Sequence, residues 1–168
     1  MGAMTTRPFR LRQVLDWRAA LIAGLIAGGA FLALQMILVR LALGGSPLLV
    51  LRWNAALLLG ESILPATAPF TGRKAATGLA IHLGLAILFT FLLTFIIHRW
   101  GLLIGLVGGA LFGGALYLVN FLTFAPLFPW FSALESTLML GAHVAFGAIA
   151  GSAYELLEVE SYVLVKEA

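Results

Sequence analysis

Residues 101–119 form an apolar run of nineteen residues with glycines four positions apart at 101, 105, 109 and 113. Residues four apart lie on one face of an α-helix, so this spacing leaves one face almost without side chains. Such a face lets a second helix approach backbone to backbone, which is how helices associate in lipid. We predict helix packing at this row and at two shorter ones: Gly24, Gly28, Gly101, Gly105, Gly109, Gly113, Gly147 and Gly151.

The composition places such a helix in a membrane. The chain has 168 residues, of which 62% are hydrophobic and 10% charged, with a mean hydropathy of +1.07. At about 20 residues per crossing, it has room for about four to six crossings and little else. We therefore predict an all-α, polytopic transmembrane helix bundle, and the composition excludes a sizeable soluble catalytic domain.

Five apolar segments, bounded by prolines, glycines and charges, predict the spans. The second holds Arg52, Asn54 and Glu61 within seventeen residues, so it either crosses tilted or crosses incompletely. Ser132 and Glu135 form a capping-box pattern that opens the fifth. In chain order the predicted spans of the bundle, 19–154, are 19–39, 48–64, 75–97, 101–124 and 133–154.

The two ends of the chain differ in charge. Residues 1–18 carry Arg7, Arg10, Arg12 and Arg18 among apolar residues, which predicts a basic interfacial segment. A secretory signal is the alternative, but the following apolar run of 21 residues is too long for one. The acidic segment 155–168 is expected to be a solvated, helical tail.

An internal repeat relates the two halves. A shift of 81 positions aligns residues 24–31 with 105–112, and 57–60 with 138–141, with four of eight and three of four identities. Since one span lies between the copies, spans 1–2 and 4–5 would form an inverted-topology repeat, as in many transporters. The alternative is a chance match, because leucine, glycine and alanine are abundant.

Loop charges predict the orientation. With five crossings and a cytoplasmic N-terminus, the cationic clusters at 7–18 and 73–74 lie inside and the acidic tail lies outside. We therefore expect a multi-pass protein of the bacterial inner membrane. The basic residues are explained by this orientation and by attraction to anionic lipid headgroups, so no nucleic-acid partner is expected.

Polar residues at membrane depth are costly and are candidate functional groups. Glu61 shares a helical face with Asn54, while His82 and His143 lie beside small residues and point towards other helices. A site of Glu61, His82 and His143, with Asn54 beside it, would bind an ion or relay protons. The alternative is that each histidine forms a local hydrogen bond between helices, and the same role is expected for Gln35.

No cofactor or metal is expected. Cysteine is absent, and the two buried histidines with one glutamate lack a metal-type spacing. Haem bound between His82 and His143 is a third alternative. Tyr117 and Asn120 extend the glycine-lined helix, where they either pack or line a shallow cavity.

Several stretches carry a family resemblance: DWRAALIAGLIAGG at 16–29, LLLGESILP at 57–65, FIIHRWGLLIGLVGGALFG at 95–113 and HVAFGAIAGSAYELLEVE at 143–160. They resemble a family of small, uncharacterised bacterial inner-membrane proteins, some of which are labelled sodium:proline symporter. The resemblance implies a helical inner-membrane protein, and it transfers no functional residue to this chain.

The sequence thus leaves two functions open. The first is a non-enzymatic packing protein, which forms a homo-oligomer or joins a larger membrane complex through its glycine faces. The second is a small solute or ion carrier or channel that uses Glu61, His82 and His143. No pair of nucleophile and base is recognisable, so the protein is not expected to be an enzyme.

Overall fold

A computed structural model of the protein describes residues 9–166. A 3₁₀ turn follows the second helix at Glu61–Ile63, and another precedes the last helix at Pro129–Leu134. The fourth helix continues into a π-helical turn, Asn120–Phe124. The elements are β1 (Phe9–Val14), α1 (Trp17–Ala42), α2 (Leu49–Leu59), α3 (Gly72–Ile97), α4 (Gly101–Val119), α5 (Ala125–Leu127), α6 (Thr137–Leu157) and β2 (Ser161–Lys166).

Within residues 9–166, four helical segments are long and apolar enough to cross a membrane, which is the mark of a multi-pass membrane protein. They are α1, α3, α4 continued through α5, and α6. The second predicted span is shorter than expected, since α2 has 11 residues. A helix that crosses the bilayer upright needs about 20 residues. Gly60 ends α2 with φ +79, a conformation that breaks the helix.

Side-chain caps fix where the long helices begin. The Asp16 carboxylate accepts hydrogen bonds from the backbone N–H groups of Arg18 and Ala19 at the start of α1. The Ser136 hydroxyl accepts from the Met139 N–H at the start of α6. The capping box expected at Ser132 and Glu135 was wrong, because the 3₁₀ turn that opens at Pro129 delays the helix to Thr137.

Contacts between helices give their directions. Residues early in α1 meet residues late in α3, as Gly24 lies beside Ile87 and Gly28 beside Ala86. The α4 and α6 helices are also antiparallel. So are α1 and α6, because Asp16 before α1 contacts Tyr154 late in α6, while Phe31 further along α1 packs on the earlier Phe146. It follows that α1 and α4 run in the same direction. The predicted inverted repeat needs them to run in opposite directions, so that prediction was wrong.

Both described ends of the chain lie on one side of the bundle. There β1 and β2 pair antiparallel, from Phe9 opposite Lys166 to Val14 opposite Ser161. We call this end the ribbon side, and the end that holds residues 43–71 and 120–136 the loop side. The structure corrects three expectations: the fold is not purely helical, the acidic tail is a strand over Ser161–Lys166, and the two ends are not on opposite sides.

Asp16 connects this ribbon to the bundle. Its second carboxylate oxygen accepts from the Val159 N–H at 3.1 Å, and its own N–H donates to the Tyr154 hydroxyl at 3.4 Å. The hydrogen bonds from Ala19, Val159 and Arg18 stabilise the charged form and hold the pKa of Asp16 below its ordinary value. One carboxylate therefore joins the start of α1 to the segment that follows α6.

The glycine rows of α4 and α6 face each other. A Cβ atom at Gly109 would overlap the carbonyl of Gly147, and one at Gly151 would overlap the carbonyl of Gly105. At the last glycine of the α4 row, Gly113, a Cβ would overlap the carbonyl of His143. The two backbones are in contact along three helical turns, which no residue larger than glycine permits.

Gly24 and Gly28 pack in the same way against α3. A Cβ atom at Gly24 would lie 2.9 Å from the Ile87 Cα, and one at Gly28 would lie 2.7 Å from the Ala86 Cβ. Gly101 is different, because nothing lies within 4 Å of its Cβ position. Its φ of +75 forms the turn between α3 and α4, so its expected role in helix packing was wrong.

We predict that Gly109→Leu destabilises the protein while Gly84→Leu does not. The first side chain would enter the α4–α6 contact, and overpacking of this kind costs about 1–3 kcal/mol or more. Gly84 has no atom within 4 Å of its Cβ position. Thermal unfolding in detergent measures the difference. Equal melting temperatures for the two variants would contradict the observed packing.

The absence of cysteine makes single-cysteine labelling a direct test of the topology. We predict that cysteines at Arg12, Arg99 and Val159 react from one face of the membrane, and cysteines at Thr67 and Ser132 from the other. All five lie outside the spans and are exposed. Labelling of Arg12→Cys from the same face as Thr67→Cys would contradict four crossings and support five.

Asp16 gives a prediction for acid pH. A carboxylate whose pKa is lowered by folding adds stability above its unfolded pKa of about 3.9, and this stability is lost as pH falls through the folded pKa. We expect wild-type protein to melt at a higher temperature than Asp16→Asn at neutral pH, with the gap narrowing as pH falls below the unfolded pKa of about 3.9. A gap that stays constant between neutral pH and pH 3 would show that the charge is not responsible.

Candidate functional site

A cavity of about 480 Å³ lies within the loop-side half of the bundle. Its wall is rich in aromatic rings, with seven phenylalanines, and leucine, isoleucine, alanine and methionine side chains complete the apolar surface. Five amide or imidazole side chains interrupt this wall. They come from α1, α2, α3, the π-helical turn and α6: Gln35, Asn54, His82, Asn120 and His143.

The Phe31 ring contacts both histidines. Its ring stacks on His82 with centroids 5.8 Å apart, and it meets His143 edge-on at 4.7 Å. Both imidazoles are at least nine-tenths buried. The structure therefore brings His82 and His143 to one cavity, where both contact the Phe31 ring.

The hydrogen bonds of His143 fix its tautomer. Its Nδ1 lies 2.9 Å from the Met139 carbonyl, which only accepts, so Nδ1 carries the proton. In the neutral ring Nε2 then accepts from the Asn120 amide at 3.0 Å. Both nitrogens are engaged, so His143 has no lone pair for haem or a metal unless Asn120 moves away.

His82 has one free nitrogen. Its Nε2 donates to the Gly28 carbonyl at 3.0 Å, across the α1–α3 contact. The Nδ1 of a neutral ring is then an acceptor, and it makes no hydrogen bond to any described residue. His82 thus combines the interhelical bond that the sequence favoured with a lone pair left for another partner.

Gln35 contributes an acceptor without a donor. The side chain is 9% exposed, and its Oε1 is buried without a hydrogen-bond partner among the described residues. Its Nε2 lies 3.9 Å from the Met139 sulfur, which is a weak acceptor. Leaving such an oxygen unpaired costs about 1–3 kcal/mol. Gln35 therefore bridges α1 to α6 through its Nε2, as the sequence predicted, but its Oε1 has no partner among the described residues.

The π-helical turn positions Asn120. Pro126 has no N–H to continue the α-helical ladder and its ring clashes with the preceding turn, which explains a change of helix geometry here. Turns of this type occur often at functional sites. Asn120 begins this turn and points its amide at His143. The sequence left packing and cavity lining open for Asn120, and the structure places it on the cavity wall.

Glu61 does not belong to the site. It is exposed in the 3₁₀ turn that follows α2 and does not line the cavity. The prediction failed because Gly60 ends the helix, so the seven-residue spacing from Asn54 no longer keeps the two residues on one face. Asn54 itself lines the cavity, where its amide donates to the Val50 carbonyl at 2.8 Å.

Arg52 secures the loop beside the cavity. Its guanidinium donates to the carbonyls of Ile63, Pro65 and Ala68 at 2.9, 2.7 and 3.2 Å, and it covers the Phe70 ring at 4.8 Å. No local pattern revealed that one side chain would order the loop between α2 and α3.

Gly78 lets α2 lie close against α3, since a Cβ atom there would overlap the Leu51 carbonyl. This places Leu57 and Leu58 of α2 on the cavity wall. Leu58, with Leu85 of α3 and Phe124 of the π-helical turn, is both a wall residue and exposed on the outer surface. The cavity thus opens sideways, between α2, α3 and the end of α4.

The site contains no cluster of metal ligands. Within residues 9–166, no three histidine or acidic side chains come together in a way that would hold a metal ion. The lining residues offer only neutral polar groups in an aromatic surface. Chemically, this arrangement suits hydrogen bonding to an otherwise apolar molecule.

Comparison with known proteins adds no assignment to this geometry. No protein-family model matches the chain, and no curated protein or solved structure gives a significant match. The resemblance to small inner-membrane proteins stays a prediction, and the function is argued from the cavity.

Proposed function

We propose that this protein binds a small, largely apolar molecule inside the membrane, as a carrier or binding protein without a catalytic step. The observation that carries the proposal is the cavity itself: an aromatic wall interrupted by five polar side chains from five different elements. Ligand pockets typically combine such a wall with a few polar groups that orient the ligand.

The size and the opening of the cavity support the same function. A volume of about 480 Å³ falls in the usual range for small-molecule sites, about 300–1,000 Å³. The rim at Leu58, Leu85 and Phe124 is apolar and exposed, so it faces acyl chains in a bilayer. A molecule dissolved in the membrane would enter there without crossing water.

The glycine rows lend no support to the alternative of a packing or accessory subunit. Those of α4 and α6 face each other, and that of α1 faces α3. They are therefore occupied within one chain and offer no bare ridge to a second copy or another protein. The ion-site alternative is also weakened, since Glu61 is absent from the cavity.

For the orientation we propose a bacterial inner membrane with the ribbon side in the cytoplasm. Arg10, Arg12 and Arg18 cluster at this end of the chain, and Arg99 lies in the turn on the same side. Retention of cationic clusters in the cytoplasm supports this placement for the N-terminal arginines, although it puts the predicted inside pair Arg73 and Lys74 on the outer side. The cavity would then lie in the outer half of the bilayer.

We expect wild-type protein in nanodiscs to bind para-octylphenol saturably, at one molecule per chain, and Leu85→Trp to weaken this binding at least tenfold. Leu85 lines the rim, where an indole would enter the cavity. Equilibrium dialysis, corrected with protein-free nanodiscs of the same lipid, measures the bound fraction.

Leu88→Trp is the matched control. Leu88 is also on α3 and exposed, but it does not line the cavity. Its binding should equal that of wild type. If both variants and wild type showed only non-saturable partitioning, the proposed function would be wrong.

A further inference from the structure

We infer that the cavity selects ligands whose polar head is an uncharged hydrogen-bond donor, such as an alcohol or a phenol. The inference rests on the proposed function and names the chemical class of its ligand. It starts from the unpartnered Gln35 Oε1, which is held in a wall residue that is 9% exposed.

Gln35 and His82 present lone pairs rather than protons. The Gln35 oxygen can only accept, and the His82 proton is already donated to the Gly28 carbonyl, which leaves Nδ1 as an acceptor. Gln35 lies one helical turn after Phe31, whose ring stacks on His82. Both side chains line the cavity.

The remaining polar side chains of the wall already form hydrogen bonds within the protein. The His143 Nδ1–H donates to the Met139 carbonyl, and the His143 Nε2 accepts from the Asn120 amide. The Asn54 amide donates to the Val50 carbonyl. A ligand that brings a donor pairs the Gln35 oxygen without breaking these bonds. A ligand that brings only an acceptor leaves that oxygen unpaired.

The lining of the cavity has no charged side chain, which disfavours a ligand with an ionic head group. No lining residue is acidic, so an ammonium group would be desolvated without a counter-charge. No lining residue is a lysine or arginine either, so a carboxylate or phosphate would be equally unpaired. A hydroxyl group meets the acceptors and avoids both costs.

The test compares para-octylphenol with its methyl ether, para-octylanisole, which keeps the shape but has no donor. We expect wild-type protein in nanodiscs to bind the phenol about tenfold more tightly, the effect of one hydrogen bond to a buried acceptor. Binding is again measured by equilibrium dialysis, corrected with protein-free nanodiscs. The cation para-octylbenzylammonium should bind more weakly than the phenol.

Two variants show whether Gln35 is the acceptor. Gln35→Met keeps the size of the side chain without the oxygen, and should reduce the preference for the phenol to about twofold or less. Thr90→Val is the matched control, because Thr90 Oγ1 is also buried without a partner among the described residues but does not line the cavity. It should leave the preference unchanged.

The outcomes separate this inference from the proposed function. Equal saturable binding of phenol and ether, the result expected if a water molecule satisfies Gln35, would overturn the inference and leave the binding function intact. Tighter binding of the ammonium compound would also overturn it. Failure of both neutral probes to saturate would overturn the proposed function itself.

Discussion

The backbone contact between α4 and α6 is the constraint on which the rest of the bundle depends. Helices in lipid gain little from apolar burial, so close packing at bare glycine faces must bring them together. Gly105 and Gly109 meet Gly151 and Gly147, and the row ends where Gly113 reaches the carbonyl of His143. One turn later Tyr117 occupies the same face, and its ring packs on His143 with centroids 5.4 Å apart. The contact thus ends at the residues where the cavity begins.

The two sides of the bundle are built differently as a result. On the ribbon side the helices are joined tightly, and the Asp16 carboxylate connects the start of α1 to the segment after α6. On the loop side a proline, a π-helical turn and the short helix α2 replace regular helix packing. The broken elements supply Asn54 and Asn120 to the cavity wall. Irregular backbone is tolerated in membranes where it is buried in protein or lines a cavity.

The features that depend on local periodicity could be predicted from the sequence. Hydropathy located the four long spans, and small neighbours placed His82 and His143 on inward faces. The features that depend on a break in a helix, or on pairing between segments far apart in the chain, could not be predicted. Gly60 cut the helical spacing between Asn54 and Glu61, which changed both the site and the number of crossings. The ribbon of β1 and β2 joins segments from opposite ends of the chain, so no local pattern reveals it. The unpaired Gln35 oxygen likewise appears only once its neighbours are known.

The most direct test of this account is disulfide cross-linking of α4 to α6 in a chain that has no native cysteine. A Cβ atom at Gly114 would lie 3.8 Å from a Val144 methyl group, so the double variant Gly114→Cys/Val144→Cys should form a bond within one chain on oxidation. The control Gly84→Cys/Val144→Cys should not. Electrophoresis without reductant distinguishes the products. The account predicts an oxidised species of monomer size, and cross-linked dimers alone would contradict it by showing that the glycine faces join separate chains.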